Sequence, residues 1–269
     1  MTVLRRLMLF VKKNIQLMSV LALITAGVAI SLIATYLYYW LHSPITLALI
    51  WLIGLLFVYF NAFLVGFKKN KYKIDTGKYN GLAQRFMEKS SLSLYKLYIK
   101  KRKIPNASAI SFGRMRSITL NSSLVDILPP EQLEAVMAHE VGHHVHNDVL
   151  VGSVFGLTVL DALAFFSVLI DKSLHAGEFV LTLATIILAI GALLMGALYS
   201  RHREARADEY ITVLTGKPQY QADALESMDR YCTEVLGWTM KEHSPLWYRL
   251  FTTHTPIPER VKILKRSSR

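Results

Sequence analysis

His139-Glu140-Val141-Gly142-His143 reads H-E-x-x-H, and the rest of the chain is understood from it. On an α-helix, residues four apart lie on one face, about a turn apart. His139 and His143 can therefore converge on one zinc ion, and Glu140, one step round, can hold an attacking water as general base. The flanking sequence predicts that helix. Pro129 and Pro130 suit a first turn, where a missing N–H costs nothing. Glu131 and Glu134 lie near the N-terminal end, which favours carboxylates. Leu133, Val136 and Met137 fall at the i, i+3, i+4 spacing of a buried stripe. Gly142 costs up to about 1 kcal/mol against Ala in a helix interior. A small residue there allows another element to approach the metal closely.

The surrounding chain is too apolar for an ordinary soluble domain of its size, with a mean hydropathy of +0.32 and 52% hydrophobic residues. From Asn14 to Phe67 there is no Asp, Glu, Lys or Arg. Residues 17–40 and 45–67 are each long enough to cross a ~30 Å hydrocarbon core, and His42-Ser43-Pro44 breaks them into a hairpin. A third span is expected at 149–170, with one interior charge, Asp161, and a fourth at 179–200, with none. Arg5, Arg6, Lys12 and Lys13 resemble the basic region of a signal peptide. The apolar stretch that follows exceeds the ~7–15 residues of such a peptide and has no small-x-small site, so an uncleaved anchor is expected.

Sidedness follows from the cations. Four Lys and Arg lie in residues 1–14, fourteen in 68–148 and twelve in 200–269; only Lys172 falls in 171–178, and none in 41–44. By the positive-inside rule, both termini and both large polar segments are cytoplasmic, in a multi-pass protein of the inner or plasma membrane. The net charge of +12 is then explained by orientation and anionic headgroups. No nucleic-acid motif is present, and none is needed. Cys232, the only cysteine, excludes an intrachain disulfide and a Cys-built zinc site.

Four segments result: a membrane hairpin at 1–67, a cytoplasmic segment at 68–148 carrying the H-E-x-x-H helix, a second hairpin at 149–200, and a cytoplasmic segment at 201–269. The two polar segments emerge on one face and can form one domain. Within them, helices are expected at 82–98 and 221–236, and strands at 109–112 and 117–120. The basic runs at 68–73 and 100–103 read as a membrane collar and a solvated or lipid-facing patch.

A catalytic zinc site needs a third protein ligand and an open position. His144 points about 100° away from the His139–His143 face, and His146 lies ~10 Å along the axis from His139. Both read as outer-sphere or surface residues. Beyond the fourth span, Ser200-Arg201-His202-Arg203-Glu204-Ala205-Arg206-Ala207-Asp208 continues the helix into the cytoplasm. Glu204 can complete a His, His, Glu set. Asp208, four residues on, can accept the second ring N–H of a ligating imidazole. Glu209 and Asp148 are the rival carboxylates.

The pattern of His139–His143, Asn147-Asp148, two spans and then Ser200-Arg201 with Glu204, Ala207 and Asp208 resembles the HtpX-type integral-membrane zinc endopeptidases. These are relatives of the CAAX prenyl endoprotease. Pro105-Asn106-Ala107-Ser108-Ala109 is similar to that family's strand entry, and Thr253-His254-Thr255-Pro256 with Arg260 to its C-terminal motif. One departure is Thr255, which separates His254 from Pro256 where the family has them adjacent. The resemblance covers about residues 100–265 and the four-span layout. It implies a mainly α membrane protein: four transmembrane helices plus a cytoplasmic zincin-like α+β catalytic domain built from two chain segments. It implies one Zn2+ per chain on His139, His143 and Glu204, with Glu140 as the base. His254 would steady the oxyanion, a role also open to Arg201, and Asp208 would act as an acid or, on geometric grounds, as the orienter of a ligand. The expected activity is zinc-dependent hydrolysis of polypeptides, among them damaged membrane proteins, at the cytoplasmic face, with substrate laid along the 109–112 strand. Two rivals are a prenyl-protein processing protease and a non-enzymatic metal transporter. Transport would place ligands inside the spans, where only Asp161 is available.

Overall fold

The computed structural model describes residues 73–75, 77–94, 96–112, 114–174, 178–237, 250–252 and 255–267. The spans expected at 17–40 and 45–67, and His254, lie outside the described residues. The chain divides into two compact units, one of residues 1–56, 153–198 and 246–253, the other of 57–152, 199–245 and 254–269.

The second unit is α+β. Its elements are β1 (Lys73–Asp75), α1 (Lys78–Lys89), β2 (Lys96–Lys100), β3 (Ala107–Phe112), β4 (Met115–Asn121), α2 (Ser122–Ile127) and α3 (Pro130–Val145). To these it adds the start of α4 (Asp148–Leu174), the end of α5 (Glu178–Thr215), α6 (Gln219–Glu234) and α7 (Ile257–Ser267). The sheet order is β1-β2-β4-β3, with β2 and β4 parallel and the other two pairs antiparallel. The two expected strands are β3 and β4, paired as a hairpin from Ala107–Leu120 to Phe112–Met115. β3 is an edge strand.

Alternation along β4 turns Ile118 and Leu120 to one face, where they meet Leu97 of β2, Phe86 and Met87 of α1, and Leu133, Met137 and Val141 of α3. α3 is the predicted motif helix, with Pro130 in its first turn and Glu131 beside it. Burying Leu133, Met137 and Val141 completely fixes which face of α3 is left for His139 and His143.

The helix expected over 82–98 divides in two. α1 stops at Lys89, and residues 96–100 form β2 instead. The stop is a Schellman turn: Leu92 N–H donates to Met87 O (2.8 Å) and Ser91 N–H to Glu88 O (2.9 Å), with Ser91 at φ 57°. Glycine is usual at that position, and its absence hid the stop. The helix expected at 221–236 is α6, two residues earlier at each end.

In the first unit, α4 and α5 run as helices through the third and fourth expected spans. Among the described residues, one helix is long and apolar enough to cross a membrane, Thr182–Thr215, with a mean hydropathy of 2.1 over an 18-residue window. Phe179, Ile187 and Leu198 are 79%, 61% and 60% exposed, as on a helix with no polar face to offer water.

Candidate metal centre

α3 carries His139, Glu140 and His143, and α5 carries Glu204 and Asp208. The two helices meet at small residues, Gly142 and Ala207. A Cβ on Gly142 would stand 3.0 Å from Ala207 Cα and 3.2 Å from Ala207 O. The sequence expectation of a close approach at Gly142 is met here, and Ala207 lies between Glu204 and Asp208.

The approach brings three ligand atoms together. Glu204 Oε2 lies 3.6 Å from His139 Nε2, and Glu204 Oε1 lies 3.6 Å from His143 Nε2. The ligand atoms of His139, His143 and Glu204 all fall within 4.8 Å of one another. At 3.6 Å a nitrogen and an oxygen are too far apart for a good hydrogen bond. The distance is close to the roughly 3.4 Å that separates two ligands around a tetrahedral ion with ~2.0–2.1 Å bonds. The imidazoles stand edge to face, 4.7 Å between centroids, so both Nε2 atoms can address one point.

The other ring nitrogens are held by carboxylates. His143 Nδ1 donates to Asp148 Oδ2 at 2.7 Å. His139 Nδ1 lies 2.9 Å from Asp208 Oδ1. Either contact favours the tautomer whose Nε2 lone pair faces Glu204. Asp148 reaches His143 because Asn147 takes φ 50°, ending α3 and turning the chain back. Asparagine tolerates that left-handed conformation better than most residues.

Charge favours a cation. Glu140, Asp148, Glu204 and Asp208 are all buried. Arg206 pairs with Asp148 at 3.0 Å, while Arg260 bridges Asp208 (2.7 Å) and Glu204 (3.3 Å). Among the described residues, four buried carboxylates thus gather at one place, held by Arg206 and Arg260, with Arg203 Nη1 3.4 Å from Asp148 O. The same demand acts on protons. Burial pulls His139 down, yet the Asp208 and Glu204 carboxylates beside it raise it to about 10. Burial would also raise Asp208, but His139 and Arg260 hold it below the ordinary carboxylate range. Glu140 is pushed up by burial, against the nearby imidazoles, and its Oε2 is buried with no hydrogen-bond partner among the described residues. The residues fit a divalent metal: three N/O donors, a concentration of buried carboxylates, and a buried Glu140 oxygen with no hydrogen-bond partner among the described residues.

The remaining histidines stand apart. His144 is 2% exposed and meets Ser117 O of β4 at 3.2 Å, so it ties α3 to the sheet. Burial holds it neutral, with its pKa lowered to about 4. It is a core residue, where the sequence reading had it outer-sphere or on the surface. His146 Nδ1 donates to Gly142 O at 2.8 Å just past the helix end. Of the two rival carboxylates, Asp148 sits behind His143. The sequence reading assigned no role to Arg260. A signal existed: a cation on the otherwise apolar face of α7, with Val261 and Leu264. The guanidinium on Glu204 is that of Arg260; Arg201 is partly exposed on α5.

Residues 73–268 match peptidase family M48. Among curated proteins, the chain is 27% identical over 237 residues to a protease HtpX homolog of Campylobacter concisus, covering 77% of this chain and 81% of that protein. It is 31% identical over 202 residues to protease HtpX of Nitrosococcus oceani, covering 68% of each. Among solved structures, it is similar to S. mikatae Ste24p, with a TM-score of 0.65 and 18% identity over 94% of this chain and 66% of that one. At that identity, the likeness is one of fold.

Proposed function

The chain belongs to peptidase family M48 and is a metalloendopeptidase, and from that membership we propose that it is a membrane-embedded zinc protease acting at the cytoplasmic face. The observation that carries the proposal is the convergence of His139, His143 and Glu204 within 4.8 Å. Two imidazoles and a carboxylate, with no thiolate, suit zinc. The layout is four spans with both termini inside, comprising a hairpin at 1–67, a catalytic segment at 68–148, a hairpin at 149–200 and a catalytic segment at 201–269. It rests on the charge-free residues 14–67, the apolar helix 182–215 and the one-sided cations.

Zinc bound there supplies Lewis-acid polarisation of a carbonyl and a lowered pKa for water. The residues supply the rest. Glu140, with one buried oxygen that has no hydrogen-bond partner among the described residues, accepts the proton of the attacking water and returns it to the leaving amine. Asp208 and Asp148 hold the rings of His139 and His143. His254 is assigned to the oxyanion on its sequence motif. The substrate is a polypeptide added as a strand to the open edge of β3, a mode that reads backbone more than side chains and suits turnover of misfolded membrane proteins.

The test is digestion of casein by detergent-purified protein. Wild type is expected to cleave it without a lipid group on the substrate, and Glu140→Gln to lose at least ~10²-fold in rate while keeping its metal. Cleavage only of farnesylated peptides would favour the prenyl-processing alternative. Unchanged cleavage by Glu140→Gln would reject the assignment of the base.

A further inference from the structure

The C-terminal helix α7 reaches the metal centre through one side chain. Arg260 is 9% exposed, and its Nε and Nη2 donate to Asp208 Oδ2 and Oδ1 at 2.9 and 2.7 Å, a bidentate fork. Its third nitrogen, Nη1, lies 3.3 Å from Glu204 Oε2. Asp208 and Glu204 are four apart on α5, so the two buried carboxylates face each other as like charges. A planar guanidinium can satisfy both at once, whereas an ammonium offers a point charge without the fork.

We propose, building on the His139–His143–Glu204 reading, that Arg260 is a positioning residue: it fixes the third ligand and the orienter of the first ligand together, making retention of the metal depend on the docking of α7. The last eleven-residue helix thereby completes a site whose ligands all lie more than fifty residues before it. Removing the guanidinium takes away the fork that holds Asp208 and the contact it shares with Glu204. Asp208 then turns from His139, and Glu204 loses the orientation that shares its two oxygens between the imidazoles. Outer partners of metal ligands typically govern 10–100-fold in affinity.

The experiment uses the full chain in detergent. Zinc affinity is measured by chelator competition for wild type, Arg260→Gln, Arg260→Lys, Glu204→Ala and Lys265→Gln. Co2+ substitution reports ligand geometry through its visible spectrum. Lys265 pairs with Glu226 at 2.7 Å across α7 and α6 on the exposed surface, a pair worth little to docking, so Lys265→Gln changes the same helix while leaving Arg260 and the seat of α7 in place. The expected result is a rise in Kd of about 10–100-fold for Arg260→Gln with an altered Co2+ spectrum. Arg260→Lys is expected to recover part of it, and Lys265→Gln to match wild type. Should Arg260→Gln fail to fold, the Lys variant carries the test, since it keeps the charge and loses the fork. Wild-type affinity and spectrum in the Arg260 variants, with Glu204→Ala losing zinc, would overturn this proposal alone. Wild-type affinity in Glu204→Ala would overturn the ligand reading beneath it.

Discussion

At the scale of single residues, the centre is a layered arrangement of charge. His139 and His143 face Glu204, and behind each imidazole stands a carboxylate, Asp208 or Asp148. Asp148 is 2% exposed and shared between His143 and Arg206. Its replacement by Asn keeps the size but gives up the charge that strengthens the His143 Nδ1–H bond. Asp148→Asn is expected to weaken zinc binding about 10- to 100-fold, read by dialysis against graded zinc buffers. Wild-type retention would mean that Asp148 serves Arg206 and not the ligand. The two His and Glu140 were legible in the sequence because a four-residue helical spacing is local information. Glu204 was reachable because Asp208 shares its face. The roles of Asp148 and Arg260 were not, since each depends on where a chain turn or a distant helix delivers the side chain.

At the scale of elements, two backbone features decide the geometry. The first is the contact of α3 with α5 at Gly142 and Ala207. Ala is the better helix former by about 1 kcal/mol, but its Cβ at Gly142 would meet backbone atoms at 3.0 and 3.2 Å, and a helix backbone yields little. Gly142→Ala is expected to cost about 1–3 kcal/mol net of that gain, measured as a lower Tm in detergent together with weaker zinc binding. A raised Tm with intact metal would show that the helices can part freely.

The second feature is the end of α1. Ser91 holds a left-handed conformation in a Schellman turn, at a cost that glycine avoids. Ser91→Gly is expected to stabilise by up to about 1 kcal/mol, as relief of the roughly 1–2 kcal/mol left-handed strain is offset by the greater unfolded-state entropy of glycine, and Ser91→Val to destabilise, in thermal or denaturant unfolding. The opposite order would contradict the capping account. The same turn marks what the sequence concealed: with no Gly or Pro after Lys89, nothing local separated helix α1 from strand β2. The hairpin strands β3 and β4 were legible because Gly113 to Arg116 interrupts two short apolar runs.

At the scale of the whole molecule, the chain assembles its centre from segments on either side of a long helical excursion. The excursion was legible as two long apolar stretches, the first with Asp161 as its one interior charge, while its meeting point was not: the small residues that permit it, Gly142 and Ala207, lie sixty-five positions apart. The grouping of His139, His143 and Glu204 carries the proposal that Glu204 crosses from the far end of the excursion to complete the site. That crossing is tested most directly by elemental analysis of the detergent-purified full chain. Wild type and Glu140→Gln are predicted to carry about one zinc per chain, and Glu204→Ala to carry almost none after the same dialysis. A full zinc complement in a folded Glu204→Ala protein would contradict the account.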